Sequence, residues 1–181
     1  MDTYNQKFTS LQNRIIRFLC IRAGSKVNQS VIAKYLEVSP TAVSKAIILL
    51  EEMNILKKEK SKTMNLNLIE LNRDSYDVIS MKRVKNLEII NDYKLVDFLE
   101  EKFPGSTIIL FGSFSRGDDT INSDIDIAII NSKEKKIDLD NFEKNIEREI
   151  RLQFYESFQK INKELKENLF NGIVLAGGIE L

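Results

Sequence analysis

Two short stretches of this 181-residue chain hold residues whose types and spacing could do chemistry. The first is Gly112-Ser113-Phe114-Ser115-Arg116-Gly117, which follows the apolar, β-branched run Thr107-Ile108-Ile109-Leu110-Phe111. The second is Ser123-Asp124-Ile125-Asp126, which opens another apolar run ending at Ile130. Alternate residues of a strand share a face, so Asp124, Asp126 and Ala128 point one way and Ile125, Ile127 and Ile129 the other. Two carboxylates within about 7 Å along one face repel each other, and burying them unpaired is costly. A strand this apolar reads as central, so the pair needs a counter-charge. Mg²⁺ is the simplest, because it takes a few carboxylates and fills its remaining positions with water and phosphate oxygens. Gly112 lets the backbone approach a ligand closely, Ser113 offers a hydroxyl, and a turn opening into a helix directs N–H groups at an anion. Arg116 can add a forked guanidinium contact. A phosphate cradle beside a metal seat is equipment for phosphoryl or nucleotidyl transfer.

Composition removes the competing chemistries. The chain has no His, which rules out Ser-His and Cys-His nucleophile pairs and imidazole metal ligands. Its single Cys rules out an internal disulfide and a thiolate zinc cage, and suits a reducing cytoplasm. No apolar run approaches the roughly 18–20 residues of a membrane span, and the polar start, Met1 to Lys7, lacks the apolar core of a secretory signal. With 43% apolar and 30% charged residues, the expectation is a soluble globular protein of one ordinary domain or two small ones.

Phe111-Gly112-Ser113, Arg116-Gly117 and Ser123-Asp124-Ile125-Asp126 together resemble the signature of the minimal nucleotidyltransferase family, within the DNA polymerase beta superfamily. The resemblance is specific over residues 107–130 and looser towards the C-terminus. It implies a small mixed β-sheet flanked by helices, with Gly112 and Ser113 on the triphosphate of a nucleoside triphosphate and Asp124 and Asp126 on Mg²⁺. Gly117 and Ser123 belong to the same nucleotide-binding motif. The family usually supplies a third carboxylate from a later strand. Here the helix Leu139–Glu149 leads into Ile150-Arg151-Leu152-Gln153-Phe154-Tyr155, where Leu152 and Phe154 take the apolar face. Gln153 stands where the acid is expected, with Glu149 or Glu156 as substitutes if the register slips or the strand bulges.

The neutral total of 27 basic and 27 acidic residues conceals a split: residues 1–92 hold 15 Lys/Arg against 10 Asp/Glu, and residues 93–181 hold 12 against 17. A basic half suits a polyanion partner. Ile15, Ile16, Phe18, Leu19 and Ile21 give Phe8–Ala23 an apolar helical face. Asn28 is the N-cap of a short second helix, and Ser39-Pro40 starts a third over Thr41–Asn54. Two strands follow, Ile55–Lys60 and Met64–Leu71, around a basic turn. Over residues 8–72 this order resembles the winged helix-turn-helix DNA-binding family. The resemblance implies that Thr41–Leu50 enters the major groove of double-stranded DNA, with Thr41, Ser44 and Lys45 towards bases or phosphates and Lys58, Lys60 and Lys62 on the backbone.

The expected organisation is α+β. A winged helix-turn-helix of three helices and a hairpin wing spans 1–73, connecting helices span 74–103, and the nucleotidyltransferase domain spans 104–181. The resemblance implies magnesium and a nucleoside triphosphate as ligands, and an acceptor hydroxyl on a partner toxin protein, as in antitoxins of this family; a fused DNA-binding domain would let such a protein repress its own operon. A two-fold homodimer would suit a palindromic DNA site. Two other readings stay open: a regulator with a nucleotide-sensing, inert transferase domain, and a transferase acting on nucleic-acid ends.

Overall fold

The computed structural model describes residues 8–61 and 66–179. They divide into two compact units, Met1–Lys82 and Arg83–Leu181. Among the described residues no helix is long and apolar enough to cross a membrane.

The first unit is three helices and a small sheet, each helix begun by a local hydrogen bond. Helix α1, Ser10–Ile21, starts with a capping box in which the Thr9 hydroxyl accepts from the Gln12 N–H and the Gln12 side chain accepts from the Thr9 N–H. Asn28 caps α2, Gln29–Leu36, which ends on Glu37 in the left-handed conformation at φ 54°. Ser39 caps α3, Pro40–Glu52, with Pro40 at the first helical position. Ile15, Ile16, Leu19, Ile32, Val43, Ile47 and Leu50 form the core, every one of them buried.

The wing strands pair antiparallel, β2 (Leu56–Lys60) with β3 (Asn67–Leu71), from Leu56 opposite Leu71 to Lys60 opposite Asn67. Sequence patterning misses a third strand. Val27 and Asn28 (β1) pair with Ile69 and Leu68, so β3 is central and its Ile69 and Leu71 are buried. Two residues are too few to show alternation, which is why β1 left no signal. The turn residues 62–65, including Lys62 and the expected strand start at Met64, lie outside the described residues.

The segment 74–103, expected as a connection, is two helices, α4 (Tyr76–Asp92) and α5 (Leu95–Lys102). The boundary between the units falls within α4. Val78 joins the first core.

The second unit is built on a four-stranded mixed sheet, order β6-β5-β4-β7. Strand β4 (Thr107–Phe111) runs antiparallel to β5 (Ile125–Ile130) and to β7 (Ile173–Ala176). Strand β6 (Ile150–Tyr155) runs parallel to β5 and covers the span expected from sequence. The remaining helices are α6 (Gly112–Arg116), α7 (Asp140–Ile146) and α8 (Lys163–Phe170). A 3-10 turn at Phe158–Lys160 precedes α8, which Asn162 caps afresh. One face of the sheet buries Ile109, Phe111, Ala128 and Ile130 against Phe158, Ile161 and Leu169. On the other face Phe103, just past α5, meets Phe154 edge-on at 5.3 Å between ring centres. Strand β5 is therefore central, and its isoleucines are buried.

Candidate functional site

The site is assembled where β4 ends and β5 begins. Phe111, the last residue of β4, is opposite Asp126 in the antiparallel register. The chain then turns at Gly112, with φ +73°, directly into α6. A Cβ built on Gly112 would lie 2.7 Å from Oδ2 of Asp126, closer than atoms of that kind approach. Glycine is needed here twice over, for the left-handed backbone and for the close approach. The Ser115 hydroxyl donates to the Gly112 carbonyl at 2.8 Å, and the Gly117 N–H donates to the Ser113 carbonyl at 3.0 Å, which closes the turn on itself. Gly117 ends α6 at φ +83°.

Asp126 shares the face of Ala128 and Ile130, at the open end of that face. Burial, the neighbouring Asp124 and, in opposition, Arg151 act on its carboxyl; the net effect is a pKa above the ordinary 3.8. Asp124 precedes β5, and its side chain is 27% exposed. It opens on a cleft of about 680 Å³ between Asn122-Ser123-Asp124 and the end of α7, where Glu143, Glu147 and Glu149 stand.

The counter-charge that the sequence required is present in the chain itself. Arg151 of β6 is in register with Asp126, and its Nη1 lies 2.8 Å from Asp124 Oδ2 as an ion pair. This corrects the expected place of the third acid. The residue beside the aspartate pair on the neighbouring strand is Arg151, whereas Gln153 pairs with Ala128 and accepts a hydrogen bond from the Tyr155 hydroxyl at 2.7 Å. The β5–β6 register runs unbroken from Ile125–Ile150 to Ile130–Tyr155, so no slip brings another acid in. Glu149 is exposed and bound to Arg151 Nε at 3.1 Å; Glu156 is exposed and paired with Lys160.

The donor set of Asp124 and Asp126 fits a magnesium ion. Two neighbouring carboxylates can take Mg²⁺ with water and phosphate oxygens completing its shell. Among the described residues no group of three or more His, Cys, Asp or Glu converges as a metal cage.

The other expected contacts are placed unevenly. Ser113 is half-buried beside the turn. Arg116 is exposed, with Nε 3.1 Å from Asp118. Ser123 accepts from the Thr120 N–H at 2.9 Å, so its hydroxyl closes the loop that leads into Asp124. That loop is anchored by residues that sequence reasoning missed. Asp119 is 1% exposed; its Oδ1 accepts from Asn86 Nδ2 at 2.7 Å, and Arg148 Nη2 lies 3.8 Å from its Oδ2. Asn86 also donates to the Phe114 carbonyl at 2.9 Å, tying α6 to the same anchor. In sequence Asp118-Asp119 is indistinguishable from any polar loop. Its partners lie 33 residues before Asp119 and 29 after it.

In the first unit Thr41 and Lys45 of α3 are exposed and Ser44 is half-buried. Lys58 is bound to Glu51 at 2.5 Å. Lys60 is exposed and has no ion-pair partner among the described residues.

No curated protein matches the chain. Among solved structures it is similar to the zinc-responsive MarR family member ZitR of Lactococcus lactis, at 24% identity and a TM-score of 0.43, over 57% of this chain and 68% of that one. It is also similar to the adhesin competence repressor AdcR of Streptococcus pyogenes, at 28% identity and a TM-score of 0.40, over 55% of this chain and 70% of that one. A third is ZitR in complex with DNA, at 24% identity and a TM-score of 0.40, over 57% of this chain and 67% of that one. Residues 92–175, from the end of α4 into β7 and including the whole site, match the family described as the nucleotidyltransferase domain.

Proposed function

We propose that the second unit binds a nucleoside triphosphate with one magnesium ion and that the first unit binds double-stranded DNA, so that the chain is a DNA-binding regulator whose nucleotidyltransferase domain responds to nucleotide. One observation carries the nucleotide half of this reading: the Gly112 backbone lies against the Asp126 carboxylate, 2.7 Å from where a Cβ would stand, beside Asp124 at the end of the central strand. Asp124 and Asp126 hold the ion, which supplies charge stabilisation to the phosphates. Gly112 and Ser113 take phosphate oxygens; Arg116 and Gly117 border them, and Ser123 sets the loop that delivers Asp124. The exposed Thr41 and Lys45 on α3, with Ser44, face DNA, and Lys60 reaches the phosphate backbone.

Transfer of a nucleoside monophosphate to an acceptor hydroxyl, on a toxin protein or a nucleic-acid end, is the second reading, and the presence of both aspartates favours it. Arg151 favours the first, because a guanidinium beside the pair cannot accept a proton from an attacking hydroxyl. Incubation with labelled nucleoside triphosphates and Mg²⁺ separates the two. The expected result is retention of nucleotide that Asp124→Asn abolishes, with no labelled product. Label on a protein or oligonucleotide that depends on Asp124 establishes transfer, and absence of nucleotide binding by the intact chain refutes both.

A further inference from the structure

Resting on the nucleotide reading above, we propose that Arg151 is a tethered counter-cation that makes the aspartate pair accept a metal–triphosphate complex in preference to free metal. The guanidinium bridges Asp124 and Glu149, at 2.8 Å and 3.1 Å. Register with Asp126 fixes the Cα of Arg151 next to the pair, so its charge cannot leave the neighbourhood when its side chain turns. Three facts make the bridge exchangeable. The Arg151 side chain is 55% exposed and that of Asp124 27%. Glu149, its other partner, is 60% exposed. A pair open to water holds its partners by roughly 0–1 kcal/mol, which a multivalent ligand readily exceeds.

The guanidinium fork suits phosphate as well as it suits carboxylate. When a triphosphate arrives with its cation, Arg151 turns its charge from Asp124 to a phosphate oxygen, and Asp124 is released to the cation. Free metal has no phosphate to offer in exchange. It must displace the guanidinium and then sit beside a stranded positive charge. Metal and nucleotide therefore bind with positive coupling, and the coupling is reciprocal. The buried Asp119–Arg148 pair has no such freedom, being almost wholly enclosed.

The test uses the full chain and Mn²⁺ as the probe, counted by electron paramagnetic resonance of the free ion, without nucleotide. Arg151→Gln and, as a second neutral variant, Arg151→Ala are expected to bind Mn²⁺ about fivefold or more tightly than the wild type, the equivalent of an exposed pair near 1 kcal/mol. Arg151→Lys, which keeps the charge, is expected to match the wild type, an outcome that a purely structural role for Arg151 does not produce. Addition of a non-hydrolysable triphosphate is expected to tighten Mn²⁺ binding more in the wild type than in either neutral variant. Equal Mn²⁺ affinity in the wild type and both neutral variants, with loss in Asp124→Asn, overturns the role of Arg151 and leaves the metal site standing. No Mn²⁺ binding in any variant overturns both.

Discussion

Replacing Gly112 by alanine tests the contact on which the site depends. The substitution carries two costs that separate. At φ +73° an L-residue pays about 1–2 kcal/mol for the left-handed backbone. The new Cβ would also lie 2.7 Å from Asp126 Oδ2, so the carboxylate must leave its rotamer, at roughly 0.5–1.5 kcal/mol. The total is about 1.5–3.5 kcal/mol. Gly105 provides the control, since it has φ +76° and nothing within 4 Å of the point where a Cβ would stand, so Gly105→Ala bears the backbone cost alone. Urea unfolding followed by circular dichroism is expected to show Gly112→Ala as the more destabilised of the two. In an Asp126→Ala background the difference is expected to vanish, because the atom that is struck has gone. A Gly112→Ala cost equal to that of Gly105→Ala, or unchanged by removing Asp126, refutes the claim that the turn is pressed against this carboxylate.

Asp126 titrates above its ordinary 3.8 in the folded chain, chiefly through burial and then through Asp124. The fold thus retains a proton that the unfolded chain releases; the associated stability is complete below 3.8 and is lost as pH rises through the folded value. Asp126→Asn is expected to raise the unfolding temperature relative to wild type more at ~pH 7 than at ~pH 4, and a gap independent of pH, measured by calorimetry, argues against it. Asn86→Ala strips a hydrogen bond from buried Asp119 and is expected to cost about 1–3 kcal/mol in urea unfolding; a surface-like effect below about 0.5 kcal/mol would show that Asp119 is not held there. For DNA, Lys45→Ala and Lys60→Ala are expected to weaken binding to a mixed-sequence duplex and to flatten its salt dependence by about 0.9 per lost phosphate contact. Lys58→Ala is expected to do less, since Glu51 already neutralises it. Fluorescence anisotropy at two salt concentrations reads both quantities, and unchanged affinity in all three variants refutes the assignment of this face to DNA.

Features that depend on residues three or four apart were legible in the chain before any fold was known. Asn28 and Ser39-Pro40 read as helix starts and do start α2 and α3, because a side chain caps an N–H within its own turn. The Thr9 cap of α1 went unread, and that helix was expected from Phe8. The alternation of Asp124, Ile125, Asp126 and Ile127 announced a central strand with two acids on one face, and β5 is central. Gly112 was readable as a close-approach residue because it follows a buried strand and precedes a helix start. What meets those acids had to await the packing of the strands. Arg151 could be put on the correct face of β6 by alternation, yet its pairing with Asp124 depends on the parallel register of two strands joined by a long crossover. A one-residue slip of that register would have turned Arg151 away and brought another side chain to the pair. The same holds for Asp119, a loop residue by composition, which is buried because Asn86 and Arg148 converge on it from other elements. Local hydrogen bonds are written in neighbouring letters, whereas the charge balance of this site is set by contacts between segments distant in the chain.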